Sequence, residues 1–232
     1  MWIFPLGAAL VAFDFAVILA GRYLVRRQPH HILWTLALLE FSAASFAVFL
    51  GRLGGWTAGE FKTYWLLGAV LTVPFLAQGE LHLLFRKREI TSVLLIVLLF
   101  GTAFALARIR TADIDVRALG SDLPSGNDVF RMDPFVLDMA RYYSIAAYVV
   151  LISGTAWSAW RMRGRPELRD RFVGTLGVAL GTTIVAAGSA FAATGNATGF
   201  SLTLAAGLSV MFWGFLRASR RPAPARAAAT PV

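Results

Sequence analysis

Seven stretches of about 20 predominantly apolar residues recur along the whole chain, and they constrain its fold more than any other feature. They run over Ile3–Leu24, His31–Leu50, Phe61–Phe85, Thr91–Ala107, Val136–Trp160, Phe172–Ala193 and Phe200–Leu216. At 1.5 Å of rise per residue, about 20 residues cover the hydrocarbon core of a bilayer. Lipid offers no partner for a backbone amide, so each stretch must be a helix. Pro74 and Gly181 do not count against this, because spanning helices tolerate both residues. Composition agrees: the chain is 57% hydrophobic and 15% charged, where soluble domains carry about 25% charged residues. The expected fold class is all-α, a polytopic bundle of seven transmembrane helices over residues 1–217. The tail at 218–232 is basic and rich in Pro and Ala, and reads as disordered. The first stretch lacks a basic leader and an evident small-residue cleavage site, so it reads as a span rather than a cleaved signal.

Charge sets the expected orientation. The connections after the first, third, fifth and seventh stretches hold 15 of the 22 Lys and Arg residues, in clusters such as Arg22, Arg26 and Arg27 or Arg161, Arg163 and Arg165. Cytoplasmic loops carry such an excess. The N-terminus is therefore expected outside and the C-terminus inside, in a cell membrane. The net charge of +9 then reads as a cytoplasmic belt for anionic lipid headgroups, at about 1 kcal/mol per residue near the surface, and not as a nucleic-acid footprint. The chain has no cysteine, so it holds neither a disulfide framework nor a thiolate metal site.

The longest connection, 108–135, lies on the other side. Its centre, "SDLPSGND", is turn-rich. Asp113 and Asp115 invite a calcium reading, but the twelve-residue loop with its closing Glu is missing. The connection is expected to be solvated, with room for a small lid or a short surface helix. The "NAT" triplet at Asn196 matters only in a secretory pathway.

Three acids fall inside the stretches: Asp14 and Glu40 near mid-membrane, and Glu80 nearer the cytoplasmic face. An ionisable group there costs about 2.5–3.5 kcal/mol on insertion scales, so each acid is expected to face the bundle interior. Asp14 shares a heptad face with Gly7 and Gly21, and Glu40 a stripe with Ala37, Ala44 and Gly51. In the third stretch Gln78 and His82 share a face four residues apart, while Glu80 points nearly opposite. Together Asp14, Glu40, Glu80, Gln78 and His82 form the candidate polar site, an acid-lined path with His82 as a relay. The other reading makes the acids hydrogen-bonded packing groups. In the sixth stretch Gly177 and Gly181 form a small-xxx-small pair that lets helices approach closely. A second copy could use the same face, so a homo-oligomer is carried as an alternative.

Cofactor chemistry finds little support. Retinal is excluded because the last stretch lacks a lysine for a Schiff base. Haem b would need facing axial ligands, and His30, His31 and His82 match no haem spacing. No nucleophile–base pair or phosphate loop is evident, so no enzyme chemistry is indicated. Transport or permeation of a proton, cation or small solute is the leading functional expectation. The alternative is a receptor-like or accessory membrane subunit without transport. The first expects the acids to line a polar cavity; the second expects them sealed in dry helix contacts.

The orientation is checked by labelling. The chain has no native cysteine, so single cysteines at Ser121 and Arg163 are expected to react with an impermeant thiol reagent from opposite sides of the membrane. Reaction of both from outside intact cells would overturn the charge-based topology.

Overall fold

The computed structural model describes residues 3–85, 87–120 and 123–218. They form an all-helical structure with seven helices long and apolar enough to cross a membrane, as in a multi-pass membrane protein. The long helices are α1 (Ile3–Arg26), α2 (Pro29–Gly54), α3 (Ala58–Leu84), α4 (Arg88–Thr111), α5 (Pro134–Met162), α6 (Arg169–Ala193) and α7 (Ala197–Ala218). All seven expected spans are present, and several run a few residues past the apolar stretches. A helix keeps its internal hydrogen bonds after leaving lipid and stops only where a local signal ends it. Pro29 and Pro134 begin α2 and α5, where the missing N–H has no partner to lose. At α3, Thr57 and Glu60 form a capping box: the Glu60 amide donates to Thr57 Oγ1 at 3.2 Å, and the Thr57 amide to Glu60 Oε2 at 2.8 Å. Gly55, at φ +87°, lets the chain turn sharply out of α2. At the other end of the chain, 219–232 of the expected tail lies outside the described residues.

Six helices close a ring in the order α1, α2, α3, α5, α6, α7, and α7 returns to α1. Helix α4 lies outside that ring, against α3 and α5. Its outward face carries Val93, Ile96, Val97 and Phe100, the last of these 76% exposed. Such a continuous apolar patch would drive aggregation in water and suits lipid.

The connection between α4 and α5 is more ordered than a solvated loop and has the short helical pieces for which the sequence left room. It contains a 3-10 turn at Val116–Gly120 and a one-turn helix at Gly126–Val129. Leu119, Leu123, Val129 and Phe130 are buried. Phe130 packs on Trp65 and Phe61 of α3, with ring centroids 5.3 and 5.7 Å away. Apolar residues spaced through a polar segment fold it back as a lid, because burying them outweighs solvating the turns. Lys62 fastens one edge by donating to the carbonyls of Arg110 and Ala112. Arg108 holds Asp133 at 2.8 Å on the other.

Helices α6 and α7 make the closest pair. A Cβ added at Gly177 would meet Gly214, and one at Gly181 would meet the Gly207 carbonyl and Met211. The two backbones thus touch through facing glycines, a contact that lipid-embedded helices use in place of the hydrophobic effect. Gly181→Leu is therefore expected to lower the yield of folded protein and the thermal midpoint in detergent, by an overpacking penalty of about 1–3 kcal/mol or more. Ala187→Leu, on the exposed face of α6, should leave both unchanged. Equal tolerance of the two changes would contradict the packing.

Candidate functional site: two stacked cavities in the ring

Two cavities occupy the lumen of the six-helix ring. One, of about 910 Å³, is lined by Arg22 to Trp34 side chains at one end of the bundle, together with Glu80, Ser158, Arg161, Arg171 and Phe215. The other, of about 490 Å³, is lined by Ser45, Tyr64, Trp65, Gly68, Ser144 and Phe200, among others. The residue numbers divide at one height on each helix. On α2 the first cavity ends and the second begins at Leu38, on α3 at Leu76, on α6 at Thr182 and on α7 at Met211. The cavities are therefore stacked along the bundle axis, with these four side chains shared between them.

The wall of the second cavity depends on an irregular turn. Residues Trp65–Leu71 of α3 are π-helical, and the Thr72 amide donates to the Leu67 carbonyl five residues back. Pro74 explains the departure, since it has no N–H to return to the carbonyl of Val70. The wider turn leaves carbonyls to be satisfied by side chains. Thr72 Oγ1 donates to the Leu67 carbonyl at 2.7 Å, and Ser144 of α5 donates to the Ala69 carbonyl. One turn on, Trp34 Nε1 of α2 donates to the Leu76 carbonyl at 3.1 Å. Single π turns inside helices recur at functional positions, and this one presents Trp65, Gly68 and Ala69 to the cavity.

The first cavity is electrostatically one-sided. Four guanidinium groups line it, on Arg22, Arg26, Arg161 and Arg171, against the single carboxyl of Glu80. Glu80 is buried, and Ser158 Oγ lies 3.4 Å from its Oε1 as a donor. The His30 and His31 rings lie 4.3 Å apart, tilted at 45°, with Trp34 edge-on to His30 at 5.3 Å. His31 Nδ1 is buried and has no hydrogen-bond partner among the described residues. Phe15, Leu19, Trp157 and Phe215 supply apolar wall, and Arg22 lies over the Phe215 ring at 4.5 Å. A chamber that pairs clustered guanidiniums with aromatic surface suits a ligand with an anionic head and an apolar body.

The five candidate polar residues are not brought together. Glu80 alone lines a cavity. Gln78 is buried on the opposite side of α3, and its Nε2 donates to the Thr91 carbonyl of α4 at 2.8 Å. His82 Nδ1 is 2.9 Å from the Gln78 carbonyl, a bond within its own helix. Glu40 is half-buried beside the buried Ala37 and Ala44. Its Oε2 is enclosed without a hydrogen-bond partner among the described residues, and it lines neither cavity. For Asp14 the expectation of an interior position is corrected: its side chain is exposed on the outer face of α1. The inward face of α1 is instead the alanine stripe Ala8, Ala9, Ala12 and Ala16. Glycine and alanine stripes both permit close packing, and only the alanine one is used within this chain.

The arginines and histidines of the first cavity were not singled out as site residues in the sequence. Arg22, Arg26, Arg161 and Arg171 served there only as topological charges. The available signal was "HHILW", where two adjacent imidazoles stand one turn from a tryptophan, directly after a basic connection. No family model, characterised protein or solved structure matches the chain.

Proposed function

We propose that the protein moves a small anionic, amphipathic solute across a cell membrane through the lumen of the six-helix ring. The observation that carries this reading is the stacking of two cavities that share Leu38, Leu76, Thr182 and Met211 as their only boundary on four helices. Two chambers that meet at one layer of side chains are what a gated path requires. In this reading the N-terminus is outside and the arginine-lined cavity opens to the cytoplasm, in keeping with the Lys/Arg excess of those connections. Arg26, Arg161 and Arg171 are exposed at its mouth, where they also meet anionic headgroups. Four arginines around one carboxyl attract an anionic head and repel a free cation. Asp14 and Glu40 line neither of these two cavities, which favours the arginine-lined chamber over a path through the acids. Glu80 instead faces the arginines as an internal counter-charge.

The test uses purified protein in vesicles with a fluorescent single-tailed sulfonate as probe and a quaternary ammonium of equal tail length as control. The sulfonate is expected to bind and cross, and the ammonium to do neither. Arg161→Gln combined with Arg171→Gln should weaken sulfonate binding about 30-fold, taking about 1 kcal/mol for each charge near the surface. High salt should shrink that difference. Thr182→Trp, placed at the layer the two chambers share, should cut flux at least about tenfold while binding changes by less than about twofold, since the basic chamber keeps its head-group partners. Binding of the sulfonate without flux in the wild type would assign the chain to the receptor-like class. Preference for the ammonium would reject the anionic reading altogether.

A further inference from the structure

The outer face of α1 has a regularity that the ring does not use. Ile3, Gly7, Leu10, Asp14, Val17, Gly21 and Leu24 occupy alternate spacings of four and three residues, the a and d positions of a heptad with glycine or aspartate at every a. All seven are exposed, with Ile3 at 60%, Leu10 at 57%, Val17 at 55% and Leu24 at 67%. A Cβ placed at Gly7 or at Gly21 would have no atom within 4 Å. Ala8, Ala9, Ala12, Phe15, Ala16 and Leu19 face the bundle, while Phe13 and Ile18 flank the exposed row. One helix therefore carries two packing faces, and only one of them has an occupant. No hydrogen bond or ion pair among the described residues reaches the Asp14 carboxyl.

From this we infer that α1 docks against α1 of a second copy, forming a two-fold dimer whose central layer is the pair of Asp14 carboxyls. Three features select a second copy over a different partner. Copies inserted by one topological rule present α1 in the same direction, and a heptad seam with parallel strands then matches each a layer with itself. Gly7 meets Gly7 and Gly21 meets Gly21, which lets the backbones close in, while Leu10 and Val17 fill the spaces between. At the middle layer the two Asp14 side chains face each other, so each has a polar partner where a lipid-facing single copy offers none. A heterologous helix would have to bring its own cation or donor to mid-membrane, whereas the second copy supplies the partner by symmetry. A single polar a position also fixes register and helix number in coiled coils, and Asp14 is the one polar residue in this seam.

The absence of native cysteine makes the test direct. Purified full-length protein carrying Val17→Cys or Leu10→Cys is reconstituted in phosphatidylcholine vesicles and oxidised. The expected result is a product of twice the chain mass for both, at least about tenfold more than for Phe100→Cys on the exposed face of α4. Adding Asp14→Leu to Val17→Cys should reduce that product at least about fivefold, and adding Asp14→Asn, which keeps a hydrogen-bonding amide, should restore most of it. Gel-filtration elution in detergent and the thermal midpoint report folding independently of the cross-link. Yields at Val17 and Leu10 no higher than at Phe100, or a dimer indifferent to Asp14→Leu in folded protein, would overturn the inference. So would a ladder of larger oligomers, or a cross-link in native membranes only, to a chain of another mass. The solute-flux assay is read separately, since the seam lies outside both cavities.

Discussion

Hydrocarbon cannot hydrogen-bond, and the architecture follows from that refusal. Each crossing segment must satisfy its own amides and carbonyls, so the chain is helical wherever it is apolar. Departures are confined to places where a side chain takes over. The π turn at Trp65–Leu71 is the clearest case. Proline at 74 removes a donor, Thr72 and Ser144 supply others, and Trp34 closes onto Leu76. The residues that repair the backbone come from α2, α3 and α5, the same helices that wall the cavities. Satisfying the irregular turn and shaping the lumen are one act of packing.

The basic residues have two roles that are separable only in three dimensions. Counted along the chain, they are the signal from which an orientation is expected. Placed in space, Arg22, Arg26, Arg161 and Arg171 converge from α1, α5 and α6 on one chamber. The opposite chamber has Arg141, already engaged by Asp138 and Asn127. The lumen is therefore polarised end to end, with an excess of positive charge in one chamber and largely aromatic and small apolar wall in the other.

Span number and rough boundaries were legible in the sequence, because length and hydropathy alone decide them. The close contact through Gly177 and Gly181 was legible as a spacing, though its partners, Gly207 and Gly214, were not. Which way a polar group faces was much harder to read. In a soluble helix the apolar stripe marks the interior; in lipid both sides are apolar, and the pattern loses its sign. Asp14 was assigned inward for that reason, while Ala8, Ala12 and Ala16 took the interior. Glu80 and Gln78 differ by two positions and part company to α5 and α4, a separation that helical angle anticipates but whose destinations it cannot name. A lid between α4 and α5 was conceivable from the sequence, but its buried anchors Leu119, Leu123, Val129 and Phe130 are spread too widely among polar turns to register as a pattern.

Helix α4 stands apart, packed against the ring mainly through α3 and α5. An odd crossing changes the side of the membrane on which a three-helix unit ends. Without α4, the segment that follows α3 would enter from the opposite face and run against α1–α3 in sense. With it, α5–α7 traverse the bilayer in the same directions as α1–α3, and the ring is built from two halves of like polarity. The helix thus acts as a parity element. Its contribution to that parity is a single reversal of direction, for which apolar length suffices.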